Sequence, residues 1–65
     1  MPDVEQDMAA YTYKKGCWIG ANSIIMPGIT INEGCIIGAG SIVTKNCEAN
    51  GVYVGQPAIR IKDLN

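Results

Sequence analysis

The residues best suited to covalent or metal chemistry in this sequence are three cysteines, Cys17, Cys35 and Cys47. A thiolate can bind a metal ion or act as a nucleophile, but none of these spacings fits a zinc site, and the chain has no histidine to activate a thiol. We expect all three to be small side chains buried in a core. A disulfide between Cys17 and Cys35 is the alternative.

Acid–base chemistry has equally little support, because the six acidic residues are not paired at any informative spacing and no serine or cysteine has a neighbouring base. We therefore name no catalytic residue and no metal ligand. The net charge of −1 and the lack of a basic stripe argue against nucleic-acid binding. No apolar run approaches the roughly 20 residues of a membrane span, and no signal peptide is visible. We expect a cytoplasmic protein.

These residues are organised by a six-residue repeat, or hexad, from Tyr13 to Glu48, which reads YKKGCW, IGANSI, IMPGIT, INEGCI, IGAGSI and VTKNCE. The first position of each hexad is apolar, the fourth is always Gly or Asn, and the fifth is small in five of the six. A strict period of six argues against a helix, whereas it keeps the first and fifth positions on one face of a strand. Gly and Asn enter the left-handed conformation most easily, so each fourth position is predicted to form a corner. The pattern predicts a parallel β-helix.

The segment WIGANSIIMPGITINEGCIIGAGSIVTKN, followed by GQPAIRIK, resembles the C-terminal part of the hexapeptide-repeat O-acetyltransferases, the maltose, galactoside and serine acetyltransferase group. The resemblance extends from about Lys15 to Lys62. It implies an all-β, left-handed parallel β-helix with three hexads per turn, a homotrimer, and acetyl-CoA bound between neighbouring subunits. Residues three hexads apart would then stack, Ile19 under Ile37 for example, and six hexads would form about two turns before an extended C-terminal tail.

We therefore divide the chain into an N-terminal lead-in (residues 1–12), the β-helix (residues 13–48), and a loop with the C-terminal tail (residues 49–65). The lead-in is predicted to be either a short helix capped by Asp3 or a disordered segment. Because two turns of a 65-residue chain bury little surface, we expect either an oligomer or a missing N-terminal portion. We expect no stacked outward threonines of the kind that an ice-binding β-helix presents.

The same resemblance assigns candidate cofactor-binding residues, which are Trp18, Ala39, Thr44, Lys45 and Lys62. The alanine would leave room for pantetheine beside the backbone, the Thr–Lys pair would lie near the nucleotide, and the tryptophan would lie near the groove. The family's first basic residue in the tail falls at Ile59 here. Arg60 is displaced from that position by one residue, which in a strand reverses the face.

In the family, the base for acetyl transfer is a histidine well upstream of the WIG tryptophan. This chain contains no histidine at any position. The sequence therefore predicts an acetyltransferase-like protein that retains part of the CoA groove, lacks the catalytic histidine, and is inactive by itself. The alternative is a non-catalytic trimerising structural module or fragment, which would have the same fold and bind no CoA.

Overall fold

Residues 10–64 are described by a computed structural model, in which they form eight strands and no helix that could span a membrane. The strands are β1 (Thr12–Tyr13), β2 (Trp18–Ile19), β3 (Ile24–Ile25), β4 (Thr30–Ile31), β5 (Ile36–Ile37), β6 (Ile42–Val43), β7 (Gly51–Gly55) and β8 (Ala58–Asp63). The helix or disordered segment predicted for the lead-in falls almost entirely outside the described residues. Its last residue, Thr12, already belongs to the first strand.

Three sheets wrap around a prism, and we call them faces A, B and C; their strands pair in parallel except for β8 at the edge of face B. Face A consists of β1 and β4, face C of β3 and β6, and face B of β2, β5, β7 and β8. Partners in the first two turns are separated by three full hexads, as in Ile19 with Ile37 and Ile25 with Val43. The predicted parallel β-helix and its stacking are therefore confirmed. Thr12 pairs with Thr30 in the same register, so the expectation that no threonines stack is wrong for this pair.

The first and fifth hexad positions fill the prism, as the repeat predicts. Six residues there are at most 1% exposed, namely Ile31, Cys35, Ile37, Ser41, Val43 and Cys47. The first turn is less protected, because Tyr13 is 61% exposed while Ile19 and Ile25 are only half-buried. A solenoid buries an inward residue fully only when other turns cover it, which explains this gradient along the prism.

The inward thiols and hydroxyls contribute hydrogen bonds between turns. Three of these side chains donate a hydrogen bond of 3.0–3.1 Å to a backbone carbonyl of the next turn, namely Cys17, Ser23 and Cys35. A small donor at the fifth position thus links the main chains of successive turns inside the prism. All three cysteines are free thiols, so the prediction of small core residues is confirmed for Cys35 and Cys47, with Cys17 half-buried, and the alternative disulfide does not form.

Five of the six predicted corners have the expected left-handed backbone. Their φ angles lie between 61° and 81°, at Gly16, Asn22, Gly28, Gly34 and Gly40. An L-residue with a side chain is strained in this region, and Asn tolerates it better than most, which explains why the fourth position accepts only these two residue types.

The sixth corner, predicted at Asn46, does not have a positive φ. Cys47 pairs with Ile31, and Val52 pairs with Ile36, so these partners are closer in sequence than three full hexads. The chain therefore reaches face A two residues early, and the predicted register of the last hexad is wrong. The Oδ1 atom of Asn46 accepts a hydrogen bond of 2.8 Å from the backbone N–H of Thr30, in place of a backbone carbonyl.

The extended C-terminal tail forms a hairpin on the upper edge of face B. Strand β7 runs parallel to β5, and β8 returns antiparallel to β7. An irregularity in this pairing sets Arg60 opposite Tyr53 and Lys62 opposite Val52, with Ile61 as the extra residue. Because the side chains of adjacent strand residues point to opposite faces, this bulge places Arg60 and Lys62 on opposite faces of the sheet.

The register predicts a severe effect for Ile37→Asp, because Ile37 is fully buried and the new carboxylate would have no partner in the core. We expect this variant to lose its far-ultraviolet circular dichroism spectrum and its cooperative thermal transition. The matched control is Ile59→Asp at an isoleucine that is 62% exposed, which we expect to leave both unchanged. A normal melting curve for Ile37→Asp would contradict the register.

A second prediction concerns the buried thiol of Cys47. Burial, reinforced by the neighbouring thiols of Cys35 and Cys17 and opposed by Arg60, raises the pKa of Cys47 from 9.0 to about 11. Between these values the folded chain keeps a proton that the unfolded chain releases, so this contribution to stability is complete below about pH 9 and disappears as the pH rises through about 11.

Urea unfolding at a series of pH values tests this expectation. Across the window from pH 9 to 11, we expect the unfolding midpoint of the wild type to fall more steeply than that of Cys47→Ala. The variant should be less stable at neutral pH because it lacks a buried side chain. If the unfolding midpoints of the two proteins change with pH in the same way, the Cys47 thiol does not contribute to the pH dependence of stability.

Candidate functional site

The outward positions give the three faces different chemistry. The outward strand residues are Thr12 and Thr30 on face A, Trp18, Ile36 and Val52 on face B, and Ile24 and Ile42 on face C. Trp18 is 71% exposed and Ile24 is 54% exposed. Face A is therefore polar, whereas faces B and C are apolar and meet along the corners that follow β2 and β5. Adjacent apolar faces of this kind are typical of interaction surfaces.

A single row on face B contains two of the predicted cofactor residues. Trp18 pairs with Ile36, Ile36 with Val52, and Val52 with Lys62. Residues in register across a sheet share one face, so the indole and the ammonium group lie on the same outer surface. They are separated by three strand spacings, or roughly 14 Å. The described part of face B therefore has an exposed aromatic ring at one end and a cation at the other.

Ala39 lies at the exposed corner between faces B and C. The corner of the turn below approaches it closely, since a Cβ added to Gly20 would stand 2.5 Å from the backbone nitrogen of Ala39. Glycine is thus required at position 20 for the two corners to stack. A Cβ added to the neighbouring Gly40 would meet nothing within 4 Å, so the outer side of this corner is open.

Thr44 and Lys45 are exposed at a different corner, the one that follows β6 and leads towards face A. Face C separates them from Ala39. The chain therefore does not bring its five predicted residues into one cluster, and residues 10–64 enclose no pocket. A ligand that contacts all five has to extend around the prism or lie between two chains.

Arg60 has a structural role that the sequence analysis missed. Its guanidinium donates to Asp63 at 2.7 Å, to the Tyr53 hydroxyl at 3.0 Å, and to the carbonyls of Glu48 and Ala49 at 3.2 and 3.3 Å. Its Cζ lies 5.6 Å from the centre of the Tyr53 ring. The hydrogen bonds to Asp63 and then to Tyr53 raise the pKa of Arg60 further above its ordinary value. Arg60 thus holds the hairpin against the loop after the last hexad. The sequence predicted only that Arg60 would lie on the opposite face of its strand, and not these contacts.

The basic groups that remain for an anionic ligand are lysines. Within residues 10–64, the one ion pair joins Arg60 to Asp63, so Lys45 and Lys62 have no carboxylate partner among these residues. The same part of the chain contains no cluster of His, Cys, Asp or Glu that could hold a metal ion. An exposed indole, two exposed ammonium groups and an open small-residue corner fit a ligand with an aromatic ring, phosphates and a thin chain, such as CoA.

Comparison with known families and structures agrees with this geometry. Residues 14–45 match the model for the bacterial transferase hexapeptide (six repeats). The fold superposes on a maltose O-acetyltransferase from Clostridium difficile 630 with a TM-score of 0.83 and 45% identity, over 85% of this chain and 29% of that one. A galactoside acetyltransferase in complex with coenzyme A superposes with a TM-score of 0.82 and 44% identity, over 85% of this chain and 28% of that one.

A serine acetyltransferase from Neisseria gonorrhoeae gives a TM-score of 0.83 and 31% identity, over 89% of this chain and 23% of that one. A search of curated protein sequences finds no significant match. The chain spans less than a third of the length of each of these solved structures. The chain is therefore a left-handed parallel β-helix of the hexapeptide-repeat acetyltransferase family.

Proposed function

We propose that this chain forms acetyl-CoA-binding coils of an acetyltransferase-like protein and contributes no catalytic base. The observation that carries the proposal is the 44% identity, over 85% of the chain, to a galactoside acetyltransferase whose structure contains coenzyme A. The matching family model covers residues 14–45, which include the exposed tryptophan, the open corner and Lys45.

Each candidate residue can make a contact with acetyl-CoA that fits its position on the prism. Trp18 offers an aromatic surface, and Lys45 and Lys62 offer cations for phosphate oxygens. Ala39 at the open corner lets a thin pantetheine chain approach the backbone, and the Thr44 hydroxyl can donate a hydrogen bond beside Lys45.

The distribution of these residues favours a site between chains of a homotrimer. Faces B and C are apolar and adjacent, so face B of one chain can pack on face C of the next and close a ring with cyclic symmetry. In that arrangement, Trp18 and Lys62 on face B approach the neighbouring chain's face C. Thr44 and Lys45 of that neighbour then border the same cleft. Such packing would also protect surface that a short chain leaves exposed.

Acetyl-CoA supplies an activated acetyl thioester, and transfer to a hydroxyl needs a base that removes the hydroxyl proton. The 65 residues include no histidine, and the hydrogen bonds described for the cysteines and serines join main-chain groups and no carboxylate. We therefore expect no acetyl transfer by this chain alone. A base from another chain or another segment would be needed. The cytoplasmic location expected from the sequence stays a prediction.

The second candidate function is that of a non-catalytic trimerising module. The two adjacent apolar faces and the absence of histidine favour it equally. It differs from the first candidate in one measurable property, because it requires no affinity for acetyl-CoA.

Trp18 is the single tryptophan of the chain and is 71% exposed, so its fluorescence can report binding directly. We expect acetyl-CoA to quench it in a saturable manner, and added salt to weaken the binding. Lys62→Ala should weaken binding by about tenfold, the effect of losing one charge-assisted hydrogen bond. The matched control is Lys14→Ala, which removes an exposed lysine next to the polar face A and should bind as the wild type does.

A folded oligomer whose tryptophan fluorescence does not respond to acetyl-CoA would leave the trimerising module as the function. Equal weakening by Lys62→Ala and Lys14→Ala would indicate attraction by net charge alone, and would contradict the assignment of face B.

A further inference from the structure

We propose that the Asn50–Gly51 peptide is a site of spontaneous deamidation and that Arg60 controls its rate. The proposal does not depend on cofactor binding, since it concerns the loop and hairpin above the last hexad. It follows from the backbone conformation, the contacts of both residues and the chemistry of this dipeptide.

The fold selects both residues of this peptide. Asn50 has a φ of 60°, which asparagine tolerates better than other residues with a side chain, and its Oδ1 atom packs directly against Gly34. A Cβ added to Gly51 would stand 2.5 Å from Nη1 of Arg60 and 2.9 Å from the ring of Tyr53. A side chain at position 51 would therefore displace the guanidinium of Arg60 or the ring of Tyr53. The structure thus combines an asparagine with the one following residue that has no side chain to hinder attack on its amide.

The reaction needs only water. The backbone nitrogen of Gly51 attacks Cγ of Asn50 and forms a five-membered succinimide ring. The bond between Cγ and the amide nitrogen breaks, and that nitrogen leaves as ammonia with the proton lost from the Gly51 amide. Water then adds to either ring carbonyl, which gives aspartate or isoaspartate at position 50.

The folded chain restrains this reaction on both sides of Asn50. Its backbone N–H donates to the carbonyl of Glu33 at 2.8 Å, and its carbonyl accepts from the N–H of Leu64 at 2.8 Å. Nη2 of Arg60 also donates to this carbonyl at 3.5 Å, and to that of Ala49 at 3.3 Å. Ring closure requires rotation about the backbone of Asn50, which these bonds oppose. Deamidation should therefore proceed from molecules in which the hairpin has opened locally.

The modification would weaken the closure of the prism. Isoaspartate inserts an extra carbon into the main chain immediately before β7, so β7 could no longer keep its register on β5. Aspartate keeps the main chain but places a charge against the Gly34 corner. Deamidation at Asn50 would thus convert a slow opening of the hairpin into a permanent change.

The experiment incubates the full chain at neutral pH and follows each asparagine by peptide mass mapping, which detects replacement of an amide nitrogen by oxygen. Asn22, Asn32 and Asn46 are internal references, because each precedes a residue with a side chain. We expect Asn50 to be modified first. In Arg60→Gln, we expect modification of Asn50 to be about tenfold faster while the references keep their rates, because loss of the guanidinium favours the open hairpin.

Lys62→Gln is the matched control, since it removes a positive charge from the same strand and no bond to the loop; it should keep the wild-type rate. Modification of Asn50 no faster than the references, or an unchanged rate in Arg60→Gln, would overturn the proposal. If the Arg60→Gln variant loses its circular dichroism spectrum, the Asp63→Asn variant is tested in its place. That variant keeps the guanidinium and weakens only its 2.7 Å anchor, so about threefold acceleration is expected, and no acceleration would count against the proposal.

Discussion

The stacking of one turn on the next is the constraint on which the rest of this structure depends. Each strand of the first two turns has only two residues, so it satisfies almost none of its backbone groups by itself. Bonds such as Gly20 N–H to the Ile37 carbonyl, at 2.8 Å, exist because each turn of three hexads brings the chain back above its own start. Isolated two-residue strands would not be stable. Every inward thiol, isoleucine and corner glycine is therefore placed by the register of the neighbouring turn.

This constraint also decides where function can reside. Inward positions are occupied by the core, so a ligand can be held only by outward strand positions and by corners. Trp18 and Lys62 use the first kind of position, and Ala39, Thr44 and Lys45 use the second. Because these positions lie on different faces of a narrow prism, a site made from them is naturally shared between chains. The open small-residue corner and the apolar faces beside it support that proposal.

Local periodicity accounts for most of what could be predicted from the sequence. The first-position residues, the five left-handed corners and the buried cysteines all repeat at the same interval, so one rule places them. The short sixth corner follows no such rule, because Asn46 replaces a backbone acceptor with its side chain. The role of Arg60 could not be predicted from the sequence either, because its partners are main-chain carbonyls and the hydroxyl of Tyr53, which a bulge brings together. Contacts of this kind produce no repeating pattern in the sequence. The resemblance to acetyltransferases named the candidate residues, but only the topology showed that they divide between faces.

We propose that the coils present a CoA-binding surface that is completed between chains. Sedimentation of the purified chain with acetyl-CoA, followed through the absorbance of the nucleotide, tests it most directly. If the surface is completed between chains, one species with the mass of three chains will carry the nucleotide absorbance with it. A single chain that sediments without the nucleotide, although fully folded, would contradict the claim.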